Sequence, residues 1–187
     1  MKNQSLKFVE SDCYRYTGKT NLKTMLLLYI KSSTFRWQVA FRLVHGSGIT
    51  RILGEIVWYL NTSRQRIQIE KRTTIGYGLY IAHGGPIVVN SSATIGNNCN
   101  LSQFTTIGAN GGGKAATIGD NVYIGPGVCC VDSVIIGNNV TIGAGSVVTK
   151  DIPDDATAVG NYAHVINYNN PGRYIKNRWN SGNVEHP

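Results

Sequence analysis

The chain has 187 residues, of which 42% are hydrophobic, only 15% are charged and 22 are glycine. That composition excludes a disordered chain, which needs low hydrophobicity and high net charge, and fits a domain with many tight turns. The formal charge of +8 is lopsided: residues 1–72 hold 13 Lys and Arg against 4 Asp and Glu, whereas residues 73–187 hold 5 against 6. The basic excess is either a solvated face or the mark of an anionic partner, such as a membrane surface or an acidic substrate. No nucleic-acid-binding module accompanies it, so no nucleic acid is expected.

Residues 1–12 are polar and lack the apolar core of a signal peptide. The longest apolar run, residues 25–30, is too short to span a bilayer. The expectation is a cytoplasmic chain, with membrane-surface contact through the basic N-terminal part as a further reading. Residues 1–66 form an N-terminal α-helical segment on this reading. Residues 22–31 are apolar with basic flanks, and 35–44 follow the capping residues Ser32, Ser33 and Thr34 and stop before His45 and Gly46. A third helix covers 49–60. Its apolar face and those of its neighbours could cap the first coil of a solenoid built from residue 67 onward, pack between subunits or meet a membrane; capping is the default, because an open solenoid end exposes strand edges.

From residue 69 an aliphatic residue leads almost every sixth position. The leaders are Ile69, Ile75 and Ile81; then Val89, Ile95, Leu101 and Ile107; then Ile118, Ile124, Cys130, Ile136, Ile142 and Val148. The fifth position of the unit is small or β-branched, as at Ala93, Cys99, Thr105, Val122, Val128, Val134, Val140 and Ser146. A period of six is neither helical nor a simple alternating strand. It fits a short strand and a sharp turn, three units to a triangular coil, with coils stacked at a strand spacing of about 4.8 Å. The thirteen leaders predict roughly four coils within residues 67–160. Gly and Asn after the leaders tolerate the turns, as at Asn97–Asn98 and Asn138–Asn139.

The period breaks twice, at residues 81–88 (IAHGGPIV) and 109–117 (ANGGGKAAT). Both breaks are Gly-rich loops on a rigid scaffold, where function concentrates. The first contains His83. The repeat ends after Pro153, and residues 161–187 form a polar, Asn-rich C-terminal tail carrying Arg173, Lys176 and Arg178. The four cysteines show no metal spacing and fit a reducing compartment. Only His83 of the histidines lies in the repeat proper, with His45 and His164 outside it, so no metal is expected.

The stretches 75–108, 118–127 (IGDNVYIGPG) and 142–153 (IGAGSVVTKDIP), with RLVHGSG at 42–48, resemble the hexapeptide-repeat acyltransferases over about residues 36–165. The nearest subgroup is the serine O-acetyltransferases, with relatives that acetylate sugars of surface polysaccharides. The resemblance implies a mainly β protein: a single-stranded left-handed parallel β-helix behind a short helical segment. It implies a homotrimer with sites between neighbouring β-helices, and direct acetyl transfer from acetyl-CoA to a hydroxyl. His83 matches the general base, a task suited to imidazole, whose ordinary pKa is about 6.5. Backbone N–H groups around Gly84 and Gly85 would take the oxyanion. Gly108, Ala109, Gly125, Pro126, Gly143 and Ala144 match the acetyl-CoA groove, and Lys150 matches a contact to the nucleotide phosphates. Lys114 and the tail cations are further candidates for phosphate contact.

Three departures shape the expected acceptor. The subgroup's Asp, fifteen residues before the loop His, is Gln68 here, with Glu70 on the same side as the alternative orienting group. The Asp-Arg-His-Pro segment that helps bind serine is missing after the second loop. The Asn-Pro-Ala turn is Asn161-Tyr162-Ala163. The sequence therefore favours a sugar or polysaccharide-precursor hydroxyl, as in polysaccharide biosynthesis, over serine and cysteine biosynthesis. A reading of another class is a non-catalytic trimeric β-helix scaffold.

Overall fold

The computed structural model describes residues 4–62 and 66–180. Four helices come first: α1 (Gln4–Thr17), α2 (Leu22–Lys31), α3 (Ser33–Val44) and α4 (Ile49–Thr62). Asn21 caps α2 by accepting from Thr24 N–H, and Ser32 caps α3 by accepting from Phe35 N–H. The sequence pattern picks out no helix in residues 1–12. In the structure α1 forms there; most of the residues it buries are polar, Ser5, Ser11, Asp12 and Arg15 beside Val9 and Cys13, which is why hydrophobic periodicity does not reveal it.

The solenoid has five coils rather than four. The first is β1 (Ile67–Ile69), β2 (Thr74–Ile75) and β3 (Tyr80–Ile81); the second is β4 (Ile87–Val89), β5 (Thr94–Ile95) and β6 (Asn100–Leu101). The third is β7 (Thr106–Gly108), β8 (Thr117–Ile118) and β9 (Tyr123–Ile124), and the fourth is β10 (Cys129–Val131), β11 (Ile135–Ile136) and β12 (Thr141–Ile142). The extra coil is β13 (Val147–Val148), a single bridge from Ile152 to Ile136, and β14 (Thr157–Val159). Its second side falls four residues after Val148 instead of six, which hides it from a six-residue count.

Three parallel faces result. The first is β1-β4-β7-β10-β13, the second β2-β5-β8-β11, and the third β3-β6-β9-β12-β14, to which β15 (His164–Asn167) adds an antiparallel edge. The coil is left-handed. Strands this short, returned by turns instead of helices, escape the packing constraint that makes other parallel crossovers right-handed. The leaders stack in register inside: Ile69, Val89, Ile107, Cys130 and Val148 on the first face, and Ile81, Leu101, Ile124, Ile142 and Ala158 on the third. Each is buried, and burying one aliphatic leader contributes about 1.5–3 kcal/mol. The small fifth-position residues fill the corners and are buried too.

The helices close the first coil. Trp37 and Phe41 stack at 5.2 Å and join the solenoid core. Polar side chains satisfy the free strand edge that a first coil must expose. Ser11 accepts from Gly78 N–H and Asp12 from Leu79 N–H, while Gln38 donates to Leu79 O and Arg15 to Gly78 O. Arg42 donates to Ile75 O and Gly76 O, and Ile81 N–H donates to the Tyr16 hydroxyl. The tail folds back along the third face. Tyr174 packs on Tyr123, Trp179 and Asn98 exchange two hydrogen bonds of 2.7 and 3.0 Å, and Lys176 O accepts from Arg15.

Candidate functional site

His83 lies in the five-residue return from β3 to β4, at the edge where the third face meets the first, and it is exposed. The return is held from two sides. Pro86 O accepts from Phe104 N–H at 2.6 Å, and a Cβ placed on Gly85 would come within 3.0 Å of Gln103. On the other side Gly84 faces Ser33 and Thr34 at the start of α3, which a Cβ would meet at 3.7 and 3.8 Å. The helical segment therefore shapes the loop that carries the imidazole.

Gln68 points outward from β1, opposite Val88 of β4. Glu70 pairs with Arg72 at 3.0 Å. Among the described residues no hydrogen bond joins either of them to His83. Gly125–Pro126 and Gly143–Ala144 turn at the same edge as His83, between the third and fourth and the fourth and fifth coils. Gly108–Ala109 and Lys150 sit at the opposite edge of the first face. The second loop, residues 109–116, leaves from that opposite edge, with Lys114 exposed on it. One chain thus splits the positions matched to acetyl-CoA between two edges separated by the width of the first face. Arg173, Lys176 and Arg178 are exposed along the tail.

The glycines divide in the same way. A Cβ on Gly125 or Gly143 would collide with the next coil at 2.8 and 2.7 Å, so the stacking itself requires glycine there. A Cβ on Gly108 meets nothing within 4 Å. The fold alone does not demand glycine at that position; close approach of another group to the backbone would.

Burial pushes the Cys99 and Cys130 thiols up to about 12, which leaves them un-ionised near neutral pH and removes them as nucleophiles. Among the described residues no group of three or more His, Cys, Asp or Glu side chains is placed to hold a metal ion. A cavity of about 870 Å³ lies elsewhere, between α1, α3 and the first coil, lined by Phe8, Arg42, His45, Arg72 and Thr73. It contains no residue matched to acetyl transfer. Phe104, against the His83 return, leaves no mark in a search for breaks of period. Its signal in the sequence is a break of residue type within an intact period.

Residues 115–150 match the family described as bacterial transferase hexapeptide (six repeats). The chain is 34% identical over 118 residues to the serine acetyltransferase of Synechococcus elongatus, covering 62% of this chain and 48% of that protein. It is 38% identical over 103 residues to the serine acetyltransferase of Staphylococcus aureus, covering 54% of this chain and 48% of that protein. The chain thus spans about half the length of these curated relatives. Among solved structures, the serine acetyltransferase of Neisseria gonorrhoeae in complex with serine superimposes with a TM-score of 0.69 at 29% identity, covering 86% of this chain and 68% of that one. The soybean serine acetyltransferase apoenzyme gives a TM-score of 0.66 at 28% identity, over 84% and 66%. The chain carries the hexapeptide repeat of the bacterial transferases, wound into the left-handed β-helix that the serine acetyltransferases share.

Proposed function

We propose that this protein transfers the acetyl group of acetyl-CoA to a hydroxyl, with His83 as general base. The observation that carries the proposal is the placing of His83: an exposed imidazole on a built return, at the solenoid edge that also bears Gly125 and Gly143. Neutral imidazole takes the acceptor's proton as its oxygen attacks the thioester carbonyl. The tetrahedral oxyanion is stabilised by backbone N–H groups and collapses as the C–S bond breaks. The leaving thiolate then recovers the proton from imidazolium. Glu70 is turned toward Arg72 in an exposed ion pair, so Gln68 is the stronger candidate to orient the ring, by hydrogen bonding alone.

The open space at Gly108, with Lys150 at the same edge, fits a pantetheine arm lying against the backbone and a phosphate beside it. Since His83 and Gly108 occupy opposite edges of the first face, a full set forms where one copy's edge meets the other edge of the next. Three copies close such a head-to-tail ring. This supports a homotrimer as the working form.

Serine is the acceptor the relatives favour. A second reading, a sugar hydroxyl, is favoured by the second loop, whose only charged side chain is Lys114. Acetyl-CoA turnover, followed as thiol release with L-serine and with a panel of sugars, tests both. His83→Ala should lower turnover by about 10²–10⁴-fold; full activity in that variant removes the base assignment. No turnover and no CoA binding at millimolar concentration would favour the scaffold.

We also infer contact of the helical segment with an anionic membrane surface. α2 exposes Leu22, Leu26 and Ile30, and α4 exposes Ile49, Ile52, Leu53, Ile56 and Leu60. Lys19, Lys23, Lys31 and Arg51 are exposed beside these faces, so two copies meeting there would oppose like charges. No described helix is long and apolar enough to cross a membrane.

A further inference from the structure

The cavity of about 870 Å³ beneath the first coil takes no part in the proposed acetyl transfer. Its walls are the start of α1, the turn from α3 to α4, and the chain from Arg72 to Ile75. Gly46 shapes that turn. A Cβ there would come within 2.7 Å of the Thr50 hydroxyl oxygen and 2.9 Å of that of Ser5, so glycine lets the starts of α1 and α4 draw close.

The charge of the lining has one sign. None of the twelve lining residues is acidic, and Arg42, His45 and Arg72 are basic. Neither α1 nor α4 has an acidic residue in its first turn, so nothing there opposes the positive ends of the two helix dipoles. Arg42 is matched by the buried Asp12. Arg72 meets only Glu70, in an exposed pair that holds it weakly.

Thr73 adds an independent sign. It lines the cavity, is 2% exposed, and its buried hydroxyl oxygen has no hydrogen-bond partner. Such an orphan is rare and destabilising. The solenoid does not ask for it: the residue at the same corner of the next three coils is Ala93, Ala116 and Val134, one before each registered strand. The hydroxyl stands only in the coil that borders the cavity.

We propose that this cavity is a binding site for a phosphomonoester, separate from the acetyl-transfer site. The phosphate is held by the Thr73 hydroxyl and Arg72 against the helix starts, and the organic body lies on Phe8, Phe41 and Ile75. The volume lies within the range of small-molecule sites, about 300–1,000 Å³, which a bare phosphate would leave mostly empty. The site stands whether or not His83 is the base. β2 belongs to the second face, whereas the copies of the proposed trimer meet along the edges of the first. Arg72 turns at such an edge, so the test follows mass as well as binding.

The probes are phenyl phosphate, inorganic phosphate and phenol, added to the full chain in calorimetry and thermal unfolding. Phenyl phosphate should bind at least tenfold more tightly than inorganic phosphate, and phenol should not bind. At a hundredfold excess over its Kd it should raise the melting temperature by about 5–10 °C. Thr73→Val keeps the shape of the corner and loses no internal hydrogen bond, so without ligand it should melt at or above the wild-type temperature. Both Thr73→Val and Arg72→Gln should weaken phenyl phosphate at least tenfold. Saturating acetyl-CoA should leave its affinity within twofold.

Four outcomes overturn the proposal. One is no binding of phenyl phosphate at millimolar concentration. Another is unchanged affinity in Thr73→Val. Displacement by acetyl-CoA would put the phosphate in the donor groove. A change of mass by light scattering in Arg72→Gln, with affinity unchanged, would assign Arg72 to a subunit contact.

Discussion

Arg42→Ala removes one of the residues that fasten the helices to the first coil. The Arg42 guanidinium makes four hydrogen bonds: to the two Asp12 carboxylate oxygens at 2.9 and 3.1 Å, to Ile75 O at 2.8 Å and to Gly76 O at 2.6 Å. Both partners of the ion pair are buried, Arg42 at 4% exposure and Asp12 at 0%. Deleting one partner of such a pair costs about 3–5 kcal/mol, because the other charge stays buried. Each carbonyl left unpaired out of water's reach adds about 1 kcal/mol or more. The expected loss is therefore about 5 kcal/mol in denaturant unfolding followed by circular dichroism, a large part of a domain's stability of about 5–15 kcal/mol.

The pH dependence gives a second check. Burial lifts the Asp12 carboxyl above its ordinary value, and Arg42 pulls it back down. Without Arg42 the carboxyl rises further. A carboxyl lifted in the folded state favours folding while it is protonated, and that contribution is lost as pH rises through the folded value. Arg42→Ala should thus be more damaging at pH 8 than at pH 5, and Asp12→Asn added to it should recover part of the loss. A loss below about 1 kcal/mol, or an equal loss at both pH values, refutes the reasoning.

Two further outcomes are expected. Gly108→Val should leave stability within about 0.5 kcal/mol of wild type, since its Cβ enters open space, while raising the KM for acetyl-CoA about tenfold; a drop in melting temperature at unchanged KM would mean glycine serves the fold there. Flotation with anionic vesicles should carry the protein up at low salt and less at high salt, with zwitterionic vesicles leaving it behind. Binding that survives Leu26→Glu combined with Ile30→Glu would place the contact elsewhere.

The solenoid is legible in the sequence because each strand-and-turn unit repeats its own physics: an inward aliphatic, a tight turn and a small corner residue. Ile95, Ile118 and Ile136 stack where the six-residue count puts them. The count fails at Ile152, where one side of the coil is a single bridge and the spacing shortens. α1 is invisible for another reason. It docks onto a strand edge through Ser11, Asp12 and Arg15, and these buried polar side chains interrupt the short apolar stripe of Val9, Cys13 and Tyr16 that packs on Phe35. The course of the tail depends on hydrogen bonds spanning much of the chain, such as that from Asn98 to Trp179 O, and local pattern carries no trace of such partners. At the candidate site, His83 is legible through its loop, whereas the division of the groove positions between two edges emerges only from the order of the faces.

The returning tail changes how the stack can come apart. In a linear array of coils each layer touches only its neighbours, so an end layer can peel away without the other end responding. Here residues beyond the fifth coil run back to Asn98 in the second coil and to Arg15 in α1. The strap turns the stack into a hoop. Loosening the fifth coil tugs on the third face and on the same helix that holds the Gly78–Leu79 edge, one strand before His83. The last residues of the fold and its first helix therefore share the work of keeping that loop in shape.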